Sequence, residues 1–262
     1  MNFKSISFYL SLFCFPISFL AFINILYASY FDYFLSIDTY FATLIISLFV
    51  GGGLWYYGKN ASKNTDFIEQ LILIISAYFL TSILIAIPFY LSNYQVTFLN
   101  SIFESISGLT GTGFSIFKDI KYLDPTLILW RSSSQWLGGL FFLFILIIIF
   151  SNKSFNYKMT NLTFSGDSNF KSKENIKDNI LKIFIIYSVL SIIILTLLSL
   201  SGVRLFNSLN LSMTLISSGG FLPTDNISKI ISTNFQKLIF IFSKLRILVP
   251  SYFLFFSINE EI

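Results

Sequence analysis

Apolar positions along this chain neither alternate nor recur on one helical face; they run in long unbroken blocks separated by short polar interruptions. Six blocks stand out, at about 6–28, 39–58, 67–91, 125–150, 179–201 and 236–257. A hydrocarbon core about 30 Å thick needs roughly 20 helical residues to cross it, so the pattern predicts six membrane-spanning helices. Pro16 and Pro88 fall in or near span ends, where neighbouring helices satisfy the freed carbonyls. Lys4 followed by apolar residues looks like a secretory signal, but the run is longer than a usual signal core and lacks a clear small-residue cleavage site, which predicts a retained helix.

Two stretches break the pattern in the same way. The sequence FLNSIFESISGL, 98–109, reads as a helix of about 12 residues, about 18 Å long at 1.5 Å per residue, too short to cross. It must enter the membrane and return. Irregular backbone at that depth is tolerated where protein buries it or where it lines a water-filled cavity. Thr110, Gly111, Thr112 and Gly113 are therefore predicted to face a pore, and KDIKYLDP climbs back to the surface. An ungapped shift of 107 residues lays TFLNSIFESISGLTGTGF (97–114) over RLFNSLNLSMTLISSGGF (204–221). The pairs Asn100/Asn207, Ser101/Ser208, Ser105/Ser212, Gly113/Gly220 and Phe114/Phe221 are identical. Each copy lies between two full spans, so the unit span, re-entrant helix, glycine loop, span occurs twice.

Composition agrees with a bilayer as solvent: 55% of residues are hydrophobic and 11% charged, against about 25% charged in soluble domains. The fold class is thus all-α integral membrane. With one cysteine, Cys14, and no histidine, intrachain disulfides, Cys/His zinc sites and imidazole bases are excluded. There is no Ser/His/Asp set or paired-carboxylate cleft, so an enzyme is not expected, nor is a cofactor. The net charge of +4 is spread along loops without a basic, aromatic-interleaved stripe, which argues against nucleic acid and for the membrane surface and its lipid as partner. Lys59 and Lys63 follow the second span, and Lys153, Lys158, Lys171, Lys173 and Lys177 lie between the fourth and fifth. The positive-inside rule makes both segments cytoplasmic, which places the N-terminus inside and 92–124 and 202–235 outside. Lys118, Lys121, Arg204 and Lys229 then lie outside against the trend.

A dehydrated monovalent cation needs its water shell replaced, and rings of backbone carbonyls do this without a trapping net charge. Glycine turns successive carbonyls toward one axis because it accepts positive φ. Thr110, Thr112, Ser217 and Ser218 add hydroxyl oxygens, and the two short helices end at the loops, so their negative C-terminal dipole ends point at the site. Glu104, in the first short helix, is read as accepting backbone hydrogen bonds behind the loop, with direct ion ligation as the alternative. Arg131 is either an interfacial anchor that snorkels outward, beside Trp130, or a partner of Glu104 and an electrostatic element near the pore. Gly51–Gly53 and Gly138 with Gly139 are read as helix contact points. Trp55, Tyr56 and Tyr57 suit the interface belt.

The residues FESISGLTGTGF followed by LILWRSSSQWLGGL (127–140), with ISSGGFLPTD in the second copy, resemble the TrkH/KtrB (Trk/Ktr/HKT) superfamily of potassium transporters over about 67–221. The resemblance implies a potassium-channel-like fold of span/pore-helix/span repeats preceded by two extra N-terminal helices. It also implies potassium uptake at the cell inner membrane and a cytosolic, nucleotide-binding regulatory subunit of the TrkA type. Carried over by position, the filter glycines are Gly113 and Gly220. The filter is then Thr110–Gly113 with Ser217, Ser218, Gly219 and Gly220, holding K⁺ as the transported ion. Gly111 stands where the family more usually has threonine, and Lys244 and Arg246 put two charges inside the sixth span.

The implied organisation is two N-terminal helices in 1–60, a first repeat in 61–150, a cytoplasmic linker in 151–178 and a second repeat in 179–262. Members of the family carry four repeats, so this chain reads as the N-terminal half of a TrkH-type subunit. Either a missing C-terminal half or a second copy, as a homodimer, would supply the other two loops. The competing reading is a truncated, non-transporting fragment or accessory membrane subunit. A secondary carrier for a larger solute is the third, and it requires a broad midplane cavity.

Overall fold

The computed structural model describes residues 2–61, 66–150, 176–241 and 243. Seven α-helices are described: α1 Phe3–Tyr30, α2 Phe34–Gly58, α3 Phe67–Leu91, α4 Phe98–Leu109, α5 Pro125–Phe150, α6 Ile176–Leu200 and α7 Leu205–Ile216. Short 3₁₀ turns follow α4 and α7, at Ile120–Tyr122 and Ile227–Lys229. The chain turns helical again over 234–241. Among the described residues there is no strand.

The helices divide into two compact units. The first comprises Met1–Val96 and Leu140–Ile186, the second Thr97–Gly139 and the chain from Tyr187 onward. In the first, α1 and α2 pack along each other and α3 lies against both. Close approach is set by small residues. A Cβ on Gly58 would lie 2.5 Å from the backbone N of Phe8 and 2.6 Å from the carbonyl of Lys4. One on Gly51 would lie 3.0 Å from the Cβ of Cys14. Gly52 and Gly53 meet nothing within 4 Å, so of the GGG run only Gly51 is a contact point. Midway along the pair, Ser18 and Ser47 share a hydrogen bond of 2.8 Å. At the N-terminal end of α3, Glu69 accepts from the backbone N–H of Asp66, completing a capping box, and from that of Asn2, which ties α3 to the start of α1. The outward faces stay apolar: Phe49 is 82% exposed and Phe79 71%. That suits contact with acyl chains. Trp55, Tyr56 and Tyr57 are exposed at the end of α2, with the Lys59 ammonium 4.2 Å from the Tyr56 ring.

Four helices are long and apolar enough to cross a membrane among the described residues: Phe3–Tyr30, Ile37–Gly58, Phe67–Leu91 and Ile180–Leu200. Helix α5 also has the length, 26 residues, and its first half carries the polar run Arg131–Gln135. The polarity of α5 has a structural use, described below. The sixth predicted span is helical as far as 241, and the rest of it from Lys244 on, with Arg246, lies outside the described residues, as does most of the linker, 151–175.

Within the second unit the 107-residue repeat becomes geometry. Helices α4 and α7 have 12 residues each, and both ends are displaced by 107 positions. Ile120–Tyr122 and Ile227–Lys229 repeat at the same spacing. Equivalent backbone bonds recur: Gly111 N–H donates to the Gly108 carbonyl at 3.1 Å and Ser218 N–H to that of Leu215 at 3.0 Å. Two stretches with few identities therefore build one backbone twice.

Candidate functional site

Each short helix stops where its last polar positions give way to left-handed backbone. Thr110 closes α4 at φ −86°, ψ −7°, and Ser217 closes α7 at φ −86°, ψ 1°. The next residues, Gly111 and Ser218, both have positive φ, +70° and +55°. Glycine takes that conformation freely, whereas a side-chain residue holds it at a cost of about 1–2 kcal/mol. Ser218 thus carries local strain in a position its repeat partner fills with glycine. Gly113, φ +77°, makes the second reversal of the first loop.

The first loop wraps around Ser107. The Ser107 carbonyl accepts from Gly113 N–H at 3.4 Å and from the Thr112 hydroxyl at 3.3 Å, while the Ser107 hydroxyl donates to the Phe114 carbonyl at 2.5 Å. In the second loop Thr214, the equivalent of Ser107, accepts from Gly219 N–H at 2.7 Å. Thr110, Thr112, Ser218 and Gly220 are exposed, and Gly111, Gly113, Ser217 and Gly219 half-buried. The helix faces behind them, including Ser101, Glu104, Ser105, Leu211 and Ser212, are buried. The hydroxyls of Thr110 and Ser217 donate back to helix carbonyls, Ile106 at 2.7 Å and Met213 at 3.0 Å. The loops meet at their glycines: a Cβ on Gly113 would lie 2.5 Å from Gly220 Cα.

Behind the loops sits a buried ion pair. Arg131 Nε donates to Glu104 Oε1 at 2.8 Å, with the two side chains 1% and 0% exposed. Glu104 also accepts from the Ser115 hydroxyl at 3.0 Å and from Ile116 N–H at 2.9 Å. Arg131 Nη2 donates to Ser115 Oγ at 2.9 Å, and its guanidinium carbon lies 4.3 Å from the Phe221 ring centre. Arg131 is therefore the partner of Glu104; it does not snorkel outward, because its charge is met inside by a carboxylate and a ring face. The Glu104 oxygens are turned to Arg131, Ser115 and Ile116, away from direct exposure. A buried pair of this kind adds little net stability, yet removing one partner strands the other charge at a cost of about 3–5 kcal/mol.

Helix α5 supplies the rest of the floor. Gly138 lies directly under the Leu109 carbonyl at the end of α4, and Gly139 against Ser217 at the end of α7, where a Cβ would come within 3.1 Å of the Ser217 Cα. These glycines are contact points, as the sequence suggests, but specifically for the ends of the two short helices. The Gln135 side chain, fully buried, accepts from Phe221 N–H at 3.2 Å. Asp225 accepts from the backbone N–H of Ile120 at 2.6 Å, joining the exit of the second loop to the 3₁₀ turn of the first. The sequence does not single out Gln135, Ser107, Ser115 and Asp225 as site residues, because their partners, Phe221, Phe114, Arg131 and Ile120, are set by tertiary contact. Phe221 did recur, paired with Phe114, and that pairing was the available signal.

Sequence and fold both match known proteins. Residues 36–248 match the TrkH family, described as cation transport proteins. The chain belongs to that family. It is 27% identical over 71% of its length to the Trk system potassium uptake protein TrkG of Escherichia coli K12, covering 39% of that protein. An uncharacterized cation transporter of Methanocaldococcus jannaschii is 28% identical over 64% of the chain, which covers 36% of it. The crystal structure of the potassium transporter TrkH from Vibrio parahaemolyticus superposes with a TM-score of 0.73 at 21% identity, over 93% of this chain and 49% of that one. The chain thus shares the TrkH fold and is a multi-pass membrane protein, and it spans well under half the length of these curated relatives. The family is one of transporters, not enzymes.

Proposed function

We propose that the chain forms half of a potassium pathway across the cell inner membrane. Thr110–Gly113 and Ser217–Gly220 supply two of the loops that strip and replace the ion's hydration shell. The observation that carries this reading is the meeting of two repeat-equivalent, left-handed loops at Gly113 and Gly220, each at the C-terminal end of a helix too short to cross the membrane. Each helix end brings about half a negative elementary charge toward the loops, the sign that favours a cation. Backbone oxygens do the rest without a fixed charge that would trap the ion. Membership in a family of cation transport proteins supports the direction, as do relatives whose names place them in Trk potassium uptake systems.

In this reading the N-terminus is cytoplasmic and both loops open to the outside. Two further loops complete the ring, from a C-terminal half beyond this sequence or from a second copy. A cytosolic nucleotide-binding subunit of the TrkA type regulates it from the inner face. The test is rubidium uptake into potassium-depleted cells that lack other uptake routes. One set of cells produces this chain alone, and another produces it joined to the third and fourth repeats of a TrkH relative. Uptake that saturates, prefers rubidium over sodium and vanishes with Gly113→Asp supports the proposal. Absence of uptake from both forms, with the protein present in the membrane, overturns it in favour of a non-transporting accessory subunit.

A further inference from the structure

The two loops share their first reversal, at Gly111 and Ser218, but not what holds them from behind. The first is tied within its own repeat by the Glu104–Arg131 pair and by Ser115. At the positions 107 residues after Glu104, Arg131 and Gln135 the sequence has Leu211, Leu238 and Phe242. The second repeat therefore has no charged or amide side chain at the places that brace the first. Its loop nonetheless carries a strained Ser218 at φ +55°, a conformation that persists only where surrounding contacts over-determine it.

The missing support comes from α5. Arg131 and Gln135 are four residues apart and so share one face of that helix. Arg131 carries the Phe221 ring on its guanidinium, and Gln135 Oε1 accepts the Phe221 N–H. A Cβ on Gly219 would run into the Gln135 amide, so the loop backbone lies directly on that side chain. We infer that Gln135 is the positioning residue of the second loop: through Phe221 N–H and Gly219 it fixes the orientation of the Ser218–Gly220 carbonyls from a helix of the first repeat. The two loops are in consequence held by one rigid element, and their mutual spacing at Gly113 and Gly220 is set by α5. A single acceptor that is lost here frees one amide in a buried position, which is expensive to leave unpaired. Loss of register in a carbonyl ring shows first in which ion is preferred.

This inference rests on the proposed potassium pathway only for its transport readout, and its structural readout stands apart. The experiment compares the full 262-residue chain in lipid nanodiscs with Gln135→Leu, which is close in size but cannot accept, and Gln135→Glu, which keeps an acceptor oxygen. Amide hydrogen exchange over 217–222 is measured alongside rubidium-over-sodium preference in the uptake assay. The expected result is exchange about tenfold faster over 217–222 in Gln135→Leu, unchanged exchange over 98–109, and a rubidium preference reduced about fivefold or more. Gln135→Glu, which keeps the acceptor, should recover the slow exchange over 217–222, and fast exchange in it as well overturns the acceptor's role. Unchanged exchange in Gln135→Leu overturns the brace outright. Faster exchange with unaltered ion preference overturns its role in positioning the carbonyls. If the unsubstituted chain shows no uptake in either form while Gln135→Leu still accelerates exchange, the brace is supported and the potassium pathway is what fails.

Discussion

Gly113 and Gly220 pack backbone to backbone, but not symmetrically. A Cβ added to Gly113 would fall 2.5 Å from Gly220 Cα and 2.8 Å from its N, whereas one added to Gly220 would fall 3.1 Å from Gly113 Cα. Only Gly113 has a positive φ, +77°. Two equivalent glycines of a repeat therefore differ in how much they tolerate a side chain.

Gly113→Ala should for that reason be the harsher change. It adds a backbone clash to a left-handed strain of about 1–2 kcal/mol, so rubidium uptake should drop by more than about tenfold with the protein still in the membrane. Gly220→Ala asks only for a shift of a few tenths of an ångström and should cost less than about fivefold. Uptake rates of the two variants at matched membrane abundance check the order.

The Glu104–Arg131 pair makes a second prediction. Arg131→Leu or Glu104→Leu leaves one buried charge unmatched and should destabilise the chain by about 3–5 kcal/mol, read as a fall in its unfolding midpoint in detergent. The double variant Glu104→Leu with Arg131→Leu reproduces the leucines at 211 and 238 of the second repeat. It should recover about half of the single-variant loss, the remainder reflecting Ser115 and Ile116 N–H left without their acceptor. A double variant no better than the worse single would contradict the pairing.

Ser218 stands in left-handed backbone that its equivalent, Gly111, adopts without strain. Ser218→Gly should raise thermal stability by about 1 kcal/mol, and Ser218→Val should lower it by more, because a β-branched residue fits the left-handed region worst. Thermal unfolding followed by intrinsic tryptophan fluorescence separates these outcomes.

In the first unit the glycines of α2 divide in two. Gly58→Ala should force α1 and α2 apart, since its Cβ meets the backbone of Phe8 and Lys4, and should lower the unfolding midpoint. Gly52→Ala and Gly53→Ala meet nothing within 4 Å and should be neutral, or stabilising by about 0.5–1 kcal/mol through helix propensity. Reversal of that order would mean that α1 and α2 pack on another face.

Much of this molecule was legible without coordinates. Span lengths, the two helices too short to cross and the 107-residue repeat follow from runs of apolar residues and from local backbone chemistry. Such features depend on neighbours in sequence, and Phe98–Leu109 and Leu205–Ile216 accordingly begin and end at equivalent positions. What only the tertiary structure decided was which groups distant in sequence meet. Arg131 had two readings, and a carboxylate 27 positions earlier settled it. Gly138 and Gly139 read in sequence as helix contact points, and the structure makes them the seats for the ends of both short helices. Phe114 and Phe221 are identical in sequence, yet the first is 72% exposed and the second 2%, because only Phe221 has Arg131 and Gly108 to rest on. Periodicity reports the conformation of one segment at a time, whereas burial and pairing belong to two segments at once, and their meeting is written in neither alone.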